Sequence, residues 1–204
     1  MATQEGTPVD LLVTAFELIA EEGWSRLSLI AVARRAGVAP VEVYRELRSR
    51  GALLGALSRR IDEAMLGVEE AELAGLPPRD RVFELMMARL EALVPFRPGL
   101  RRLSREARGA PCLALGTACR LDRSLAWLQD AAGLRRSGLR ARLARQALAA
   151  AYAQTIRVWF RDEAADLGKT MAELDKQLRR VEIFAGLREP RARGRPQEEA
   201  PEPV

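Results

Sequence analysis

Apolar residues recur along this chain at intervals of three and four, and no stretch alternates long enough to predict a strand. Glycine and proline punctuate the pattern and divide it into helices. Leu12, Val13, Phe16, Ile19 and Ala20 predict a first helix over about 9–22, ended by Gly23. Ser28 is placed to cap a second helix with Leu29, Val32, Ala33 and Ala36 inward, and Gly37 stops it after two turns. Pro40 suits the first turn of a short third helix, 40–46. The pattern then predicts helices over about 51–73, 79–94, 99–108, 112–131, 138–161 and 170–186, with breaks at Gly75 to Pro78, Pro95, Pro98, Gly109, Pro111 and Gly133. The predicted fold is all-α with about nine helices: a helix-turn-helix three-helix unit at 1–50, a helical domain at 51–187, and a disordered Pro/Glu/Arg-rich tail at 188–204.

At 204 residues the chain can bury one sizeable core. No run reaches the roughly 20 apolar residues of a bilayer span, and the N-terminus lacks the pattern of a signal peptide. The expected location is the cytoplasm. Histidine is absent, which removes the commonest general base and metal ligand. No phosphate-cradling glycine loop or metal-spaced ligand set is present, so the sequence points away from an enzyme and calls for no cofactor. Cys112 and Cys119 are seven apart, about 10.5 Å along a helix, too far for a disulfide. They are expected to be small buried residues on one helical face.

Charge alters this picture by where it falls. Residues 24–60 carry eight arginines against Glu42 and Glu46, and residues 97–145 carry twelve arginines against Glu106, Asp122 and Asp130. Two basic blocks separated by an acidic one suggest contact with a polyanion.

The first basic block coincides with the most specific motif. A helix-turn-helix needs a small residue where its helices cross, a glycine in the turn, and an apolar residue on the second helix pointing into the core. Ala33, Gly37 and Val43 stand at those places. The window SLIAVARRAGVAPVEVYRELRSRGALL, with FELIAEEGW upstream, resembles the N-terminal region of TetR-family transcriptional regulators. Val32-Ala33 and Ala36-Gly37-Val38 match the family's I-A-x-x-A-G-V core, and Val43-Tyr44 its L-Y pair. Leu47, Ser49, Arg50 and Leu53 fill the places of its F, S/D, K and L.

This resemblance implies a homodimer that binds a double-stranded DNA operator, most simply as a ligand-responsive repressor. It places Ala39, Pro40, Val41, Glu42 and Arg45 near the major groove, and Ser28, Tyr44, Arg48 and Arg50 at the DNA backbone. Two positions depart from the family: Glu42 and Glu46 stand where it carries uncharged residues. Ala39 also replaces the usual Ser cap.

The segment 122–184 is similar to the C-terminal part of the TetR-like accessory proteins of coenzyme Q biosynthesis, through Tyr152, Trp159, Asp162, Thr170, Leu174 and Asp175. That likeness implies an alternative, a fold that has lost operator binding and holds an isoprenoid or other lipid. The apolar residues Met86, Leu90, Leu93, Phe96, Trp127, Tyr152 and Trp159 are the candidate lining of a ligand pocket. The lack of lysine and histidine around them favours an uncharged, lipophilic small molecule. Leu148 and Ile156, with the narrow seam of Met171, Leu174, Leu178 and Val181, are the candidate dimer interface. Asp162, Glu163 and Asp166 collect before Gly168, where a helix cap or a surface loop is expected rather than a cation site.

Overall fold

The computed structural model describes residues 10–134 and 138–185. The predicted tail at 188–204 lies outside the described residues. Among the described residues there are ten α-helices, two short 3-10 turns and no strand. In chain order the helices are α1 Leu11–Glu22, α2 Leu29–Ala36, α3 Pro40–Glu46, α4 Arg50–Leu66, α5 Glu70–Leu73, α6 Pro78–Ala92, α7 Arg97–Glu106, α8 Pro111–Ala131, α9 Gly138–Trp159 and α10 Gly168–Ala185.

Local chemistry sets most of these boundaries. Asp10 caps α1, its carboxylate accepting from the N–H groups of Leu12 at 3.0 Å and Val13 at 3.2 Å. Ser49 caps α4 by accepting from the Ala52 N–H at 3.0 Å. Proline at the first turn opens α3, α6 and α8, where the missing N–H costs nothing. The helix expected over 51–73 divides in two. Its first part stops at Leu66 with Gly67 as cap, a poor helix former at the point where Val68 turns toward the core. The expected 79–94 helix stops early because Pro95 cannot donate, and a 3-10 turn, Val94–Phe96, follows.

The core is one contiguous cluster from α1 to α10. Phe16 of α1 meets Phe96 edge-on, ring centroids 5.3 Å apart, and both rings are fully buried. The backbones of α1 and α7 approach closely at Gly99, where a Cβ would sit 2.3 Å from the Phe16 carbonyl oxygen. Thus α1 packs on both sides, against α2 of the helix-turn-helix and against α7 of the larger helical layer. A side-chain link crosses the same junction. Glu106 accepts from Arg102 at 3.0 Å and from the Ser25 N–H at 3.3 Å.

Two expectations need correction. Cys112 and Cys119 are exposed on α8, not buried. The N-terminal part of α8 packs on the bundle through Leu113 and Leu121, and the face that carries the cysteines is left in solvent. The seam on α10 is internal to the chain. Leu148 of α9 and Leu174 and Leu178 of α10 are fully buried, and Val181 nearly so, where the two helices pack on each other.

Candidate functional site

The α2–α3 pair is built as the sequence motif requires. Gly37 adopts the left-handed conformation (φ 70°), and the Val38 N–H closes the turn on the Ala33 carbonyl at 3.1 Å. Val32, Ala33 and Val43 are buried, so α3 is fixed to α2 along its inner edge. Its outer face then projects into solvent. Ala39, Pro40, Val41, Glu42, Tyr44 and Arg45 are all exposed there, and Ser28, Arg48 and Arg50 are exposed around it. Val41 and Tyr44 are 52% and 62% exposed, so an apolar and an aromatic side chain stand in solvent beside each other on this face. The Ser28 hydroxyl makes no capping bond, and Ala39 offers no side-chain cap.

The arginines of this face have different occupations. Arg35 is held by Glu21 at 2.6 Å, and that hydrogen bond keeps the Glu21 carboxyl below its ordinary range. Arg50 donates to the carbonyls of Trp24 at 3.2 Å and Ser25 at 3.1 Å, tying the start of α4 to the α1–α2 loop. Arg34, Arg45 and Arg48 are exposed and make no ion pair among the described residues. Glu42 and Glu46 are likewise exposed and unpaired there. Glu42 sits in the first turn of α3, where the helix dipole favours a negative charge.

A cavity of about 390 Å³ opens between α4, α6, α7, α8 and α9. Its wall is mainly apolar, with Leu54, Leu57 and Ile61 of α4, Leu103 of α7, Leu121 of α8 and Tyr152 of α9 among its residues. The volume falls within the range of small-molecule sites. Two arginines, Arg89 and Arg120, reach this wall, and no acid does. Arg89 is 5% exposed. It donates to Asp62 at 2.7 Å, and Ser124 bridges the two. Its guanidinium lies over the Tyr152 ring, 5.4 Å from the centroid, while its Nε finds no partner. Burial works against this charge, but Tyr152 and Asp62 outweigh it and raise the Arg89 pKa above its ordinary value.

Of the pocket candidates, Leu93 and Tyr152 line the cavity. Met86, Leu90, Phe96 and Trp159 are fully buried in the surrounding core and do not line it. Trp127 is 56% exposed, in a separate groove with Arg59, Asp62 and Arg123. Ile156 lines the cavity, and Met171 is half-buried against the core. The wall from α4 and α8 and the two arginines escaped sequence reasoning. The α4 residues left a trace, since Leu54, Leu57 and Ile61 recur at helical spacing. The outward side of the α9–α10 pair is a groove with Ala147, Ala150, Gln154, Glu173, Lys176 and Arg180 in its lining.

Asp162 closes the α9–α10 corner. Its carboxylate accepts from the Thr170 N–H at 2.8 Å and the Thr170 hydroxyl at 2.7 Å, so it caps α10. Arg97 stacks over Trp159 at 4.4 Å and donates to the Asp162 carbonyl.

Residues 11–57 match the family model described as bacterial regulatory proteins, tetR family. No curated protein matches the chain. Among solved structures, the chain is similar to a TetR transcriptional regulator from Nitrosomonas europaea ATCC 19718, with 26% identity and a TM-score of 0.69. That match covers 85% of this chain and 96% of the other. A TetR transcriptional regulator from Rhodococcus sp. RHA1 shares the fold at 21% identity and a TM-score of 0.57, covering 85% of this chain and 93% of its own. The TetR-family regulator PfmR from Thermus thermophilus does so at 21% identity and a TM-score of 0.55, covering 84% of this chain and 98% of its own.

Proposed function

We propose that this chain, whose N-terminal unit is the helix-turn-helix of the tetR family of bacterial regulatory proteins, is a cytoplasmic operator-binding repressor released by a small ligand. The observation that carries this reading is the course of α4. Its first residue, Arg50, is hydrogen-bonded into the α1–α2 loop. Its middle residues, Leu54, Leu57 and Ile61, are a wall of the cavity. A ligand that prefers one position of α4 therefore biases the position of α3, which is joined to it through Leu47 to Ser49.

In this reading α3 enters the major groove, with Val41, Glu42, Tyr44 and Arg45 toward bases and backbone, and Ser28 and Arg48 on phosphates. Arg50 acts indirectly, by holding the loop. The domain division follows the same logic: residues 1–50 read DNA, and the helices from 51 to 187 hold ligand and partner. The dimer is a four-helix bundle of α9 and α10 from two chains, joined along the outward face that carries Ala147, Ala150 and Gln154.

The test is a fluorescence-anisotropy titration against the DNA flanking the chain's own gene, with a scrambled duplex beside it, at low and moderate salt. The expected result is preference for the native duplex that persists at moderate salt, with affinity falling steeply as salt rises. Equal binding to both duplexes that salt abolishes favours the second reading, a lipid-binding protein without an operator. One observation supports that reading, the exposed and unpaired state of Glu42 and Glu46 at α3, where phosphate would repel them.

A further inference from the structure

The apolar cavity does not end at its own wall. Ser104, Ala153, Ile156 and Phe160 belong both to the cavity and to a neighbouring surface groove. That groove is lined by Arg101, Arg105, Arg108, Arg157 and Arg161, with Glu163 the single acid in its lining. Several arginines elsewhere have a carboxylate beside them, such as Arg35 with Glu21, Arg60 with Asp10, Arg102 with Glu106, Arg145 with Asp122 and Arg179 with Asp175, while others, such as Arg34, Arg45 and Arg48, make no ion pair among the described residues. Among the described residues, none of the five groove arginines makes an ion pair. Arg101 donates to the Phe160 carbonyl and Arg157 to the Gln154 side chain.

Helix termini do not account for this charge. α7 ends at Glu106 and α9 at Trp159, so two C-termini lie near the groove. Together they offer roughly one unit of negative charge, against five arginines and one glutamate. Uncompensated guanidinium groups repel one another until an anion joins them, and their planar donors match phosphate oxygens two at a time.

We propose that cavity and groove form one site for an anionic amphiphile, its apolar chain in the cavity and a phosphate-bearing head on the groove arginines. The proposal rests on the ligand-pocket reading above and names the ligand class. It replaces the expectation of an uncharged ligand, which was drawn from the absence of lysine and histidine and did not foresee arginines at the cavity. A single carboxylate would occupy one or two of the five arginines, whereas a phosphate head engages several.

Calorimetric titration of the full chain with decyl phosphate, decanol and inorganic phosphate, below micelle-forming concentrations, tests it. Decyl phosphate should bind once per chain, decanol at least ten-fold more weakly, and inorganic phosphate without saturation. Octyl phosphate should bind about fifteen-fold more weakly than decyl phosphate, as expected for two methylenes withdrawn from an apolar site. The triple variant Arg105→Glu/Arg108→Glu/Arg161→Glu changes only exposed side chains. It should keep its melting temperature and decanol affinity and lose at least ten-fold for decyl phosphate. Ala153→Trp, at the shared wall, should lose both ligands.

Sedimentation with phosphatidylglycerol vesicles distinguishes the source of the head. Pelleting of the wild type but not the triple variant assigns it to a membrane lipid, and no pelleting, with decyl phosphate bound, assigns it to a soluble phosphate ester. Decanol binding as tightly as decyl phosphate would overturn the proposal and leave the pocket reading in place. So would a triple variant that binds decyl phosphate unchanged. If that variant keeps decyl phosphate but loses duplex DNA, the groove belongs to nucleic acid. Failure of both decyl phosphate and decanol removes the pocket reading too, while operator binding, measured separately, stands or falls alone.

Discussion

Asp162 shows how much depends on single side chains here. It is 1% exposed, and one of its oxygens takes both the N–H and the hydroxyl of Thr170. Burial pushes its carboxyl pKa up, but the Thr170 bonds, the Ala164 N–H and the nearby Lys169 charge together outweigh that and hold it below the ordinary 3.8. A lowered folded pKa means the ionised group stabilises the fold above the unfolded value and ceases to do so as pH falls through the folded one. Asp162→Ala should cost about 1–2 kcal/mol at neutral pH, the usual cost of losing a helix cap. In urea melts across pH, the gap to wild type should shrink below 3.8 and close in stronger acid. A gap that persists unchanged would mean that packing, not the cap, sets the cost. Gly99→Ala is the second residue-scale test. Its Cβ would meet the Phe16 carbonyl oxygen at 2.3 Å. Separating α1 from α7 to relieve that contact should cost about 1–3 kcal/mol, the usual range for overpacking, read from the same melts.

At the scale of elements, α2 and α3 were the most legible parts. Ala33, Gly37 and Val43 each do a job that few other residues could do at that offset, and α3 begins and ends at 40 and 46 as the spacing predicts. The acids Asp162, Glu163 and Asp166 before Gly168 allowed a helix cap or a surface loop, and the fold selects the cap by bringing the Thr170 N–H and hydroxyl to Asp162. The cavity was much less visible. Its wall is drawn from five helices, and helical periodicity reports which face of a helix is buried, not which buried residues border an empty space. Met86, Leu90 and Trp159 carry the same signal as Leu57 and Tyr152, yet they pack into the core. For DNA binding, the elements divide the work. Arg48→Ala should weaken binding to all duplexes alike and reduce the salt dependence by about one counterion. Glu42→Ala should change the order of preference among duplexes. Anisotropy with a small operator library separates the two, and an Arg48 variant with unchanged salt dependence would remove that residue from the phosphate contacts.

The whole molecule adds a constraint that no single helix reveals. Leu174 and Leu178 carried the pattern of a seam, and the structure places that seam inside one chain, between α9 and α10. A charge at Leu174 therefore tests the fold. The proposed two-fold contact is tested at Ala150, which is exposed on the outward face. Ala150→Glu should leave the melting temperature within a few degrees and convert a dimer to a monomer in multi-angle light scattering. Operator affinity should fall with it, since two half-sites are read together. A dimer that survives the change would place the contact elsewhere.

The glycine contact between α1 and α7 has a consequence for anyone building chimeras. The proposed boundary between the DNA-reading and ligand-holding parts falls at residue 50, where the seven-residue α3 gives way to the 17-residue α4. Yet α1 lies in a trough that Gly99 leaves open, and Glu106 clasps the loop behind it. Transplanting residues 1–50 onto a foreign sensor would carry the ridge without its trough. A working graft has to bring the α7 surface with it, so the unit that can be exchanged is discontinuous in sequence.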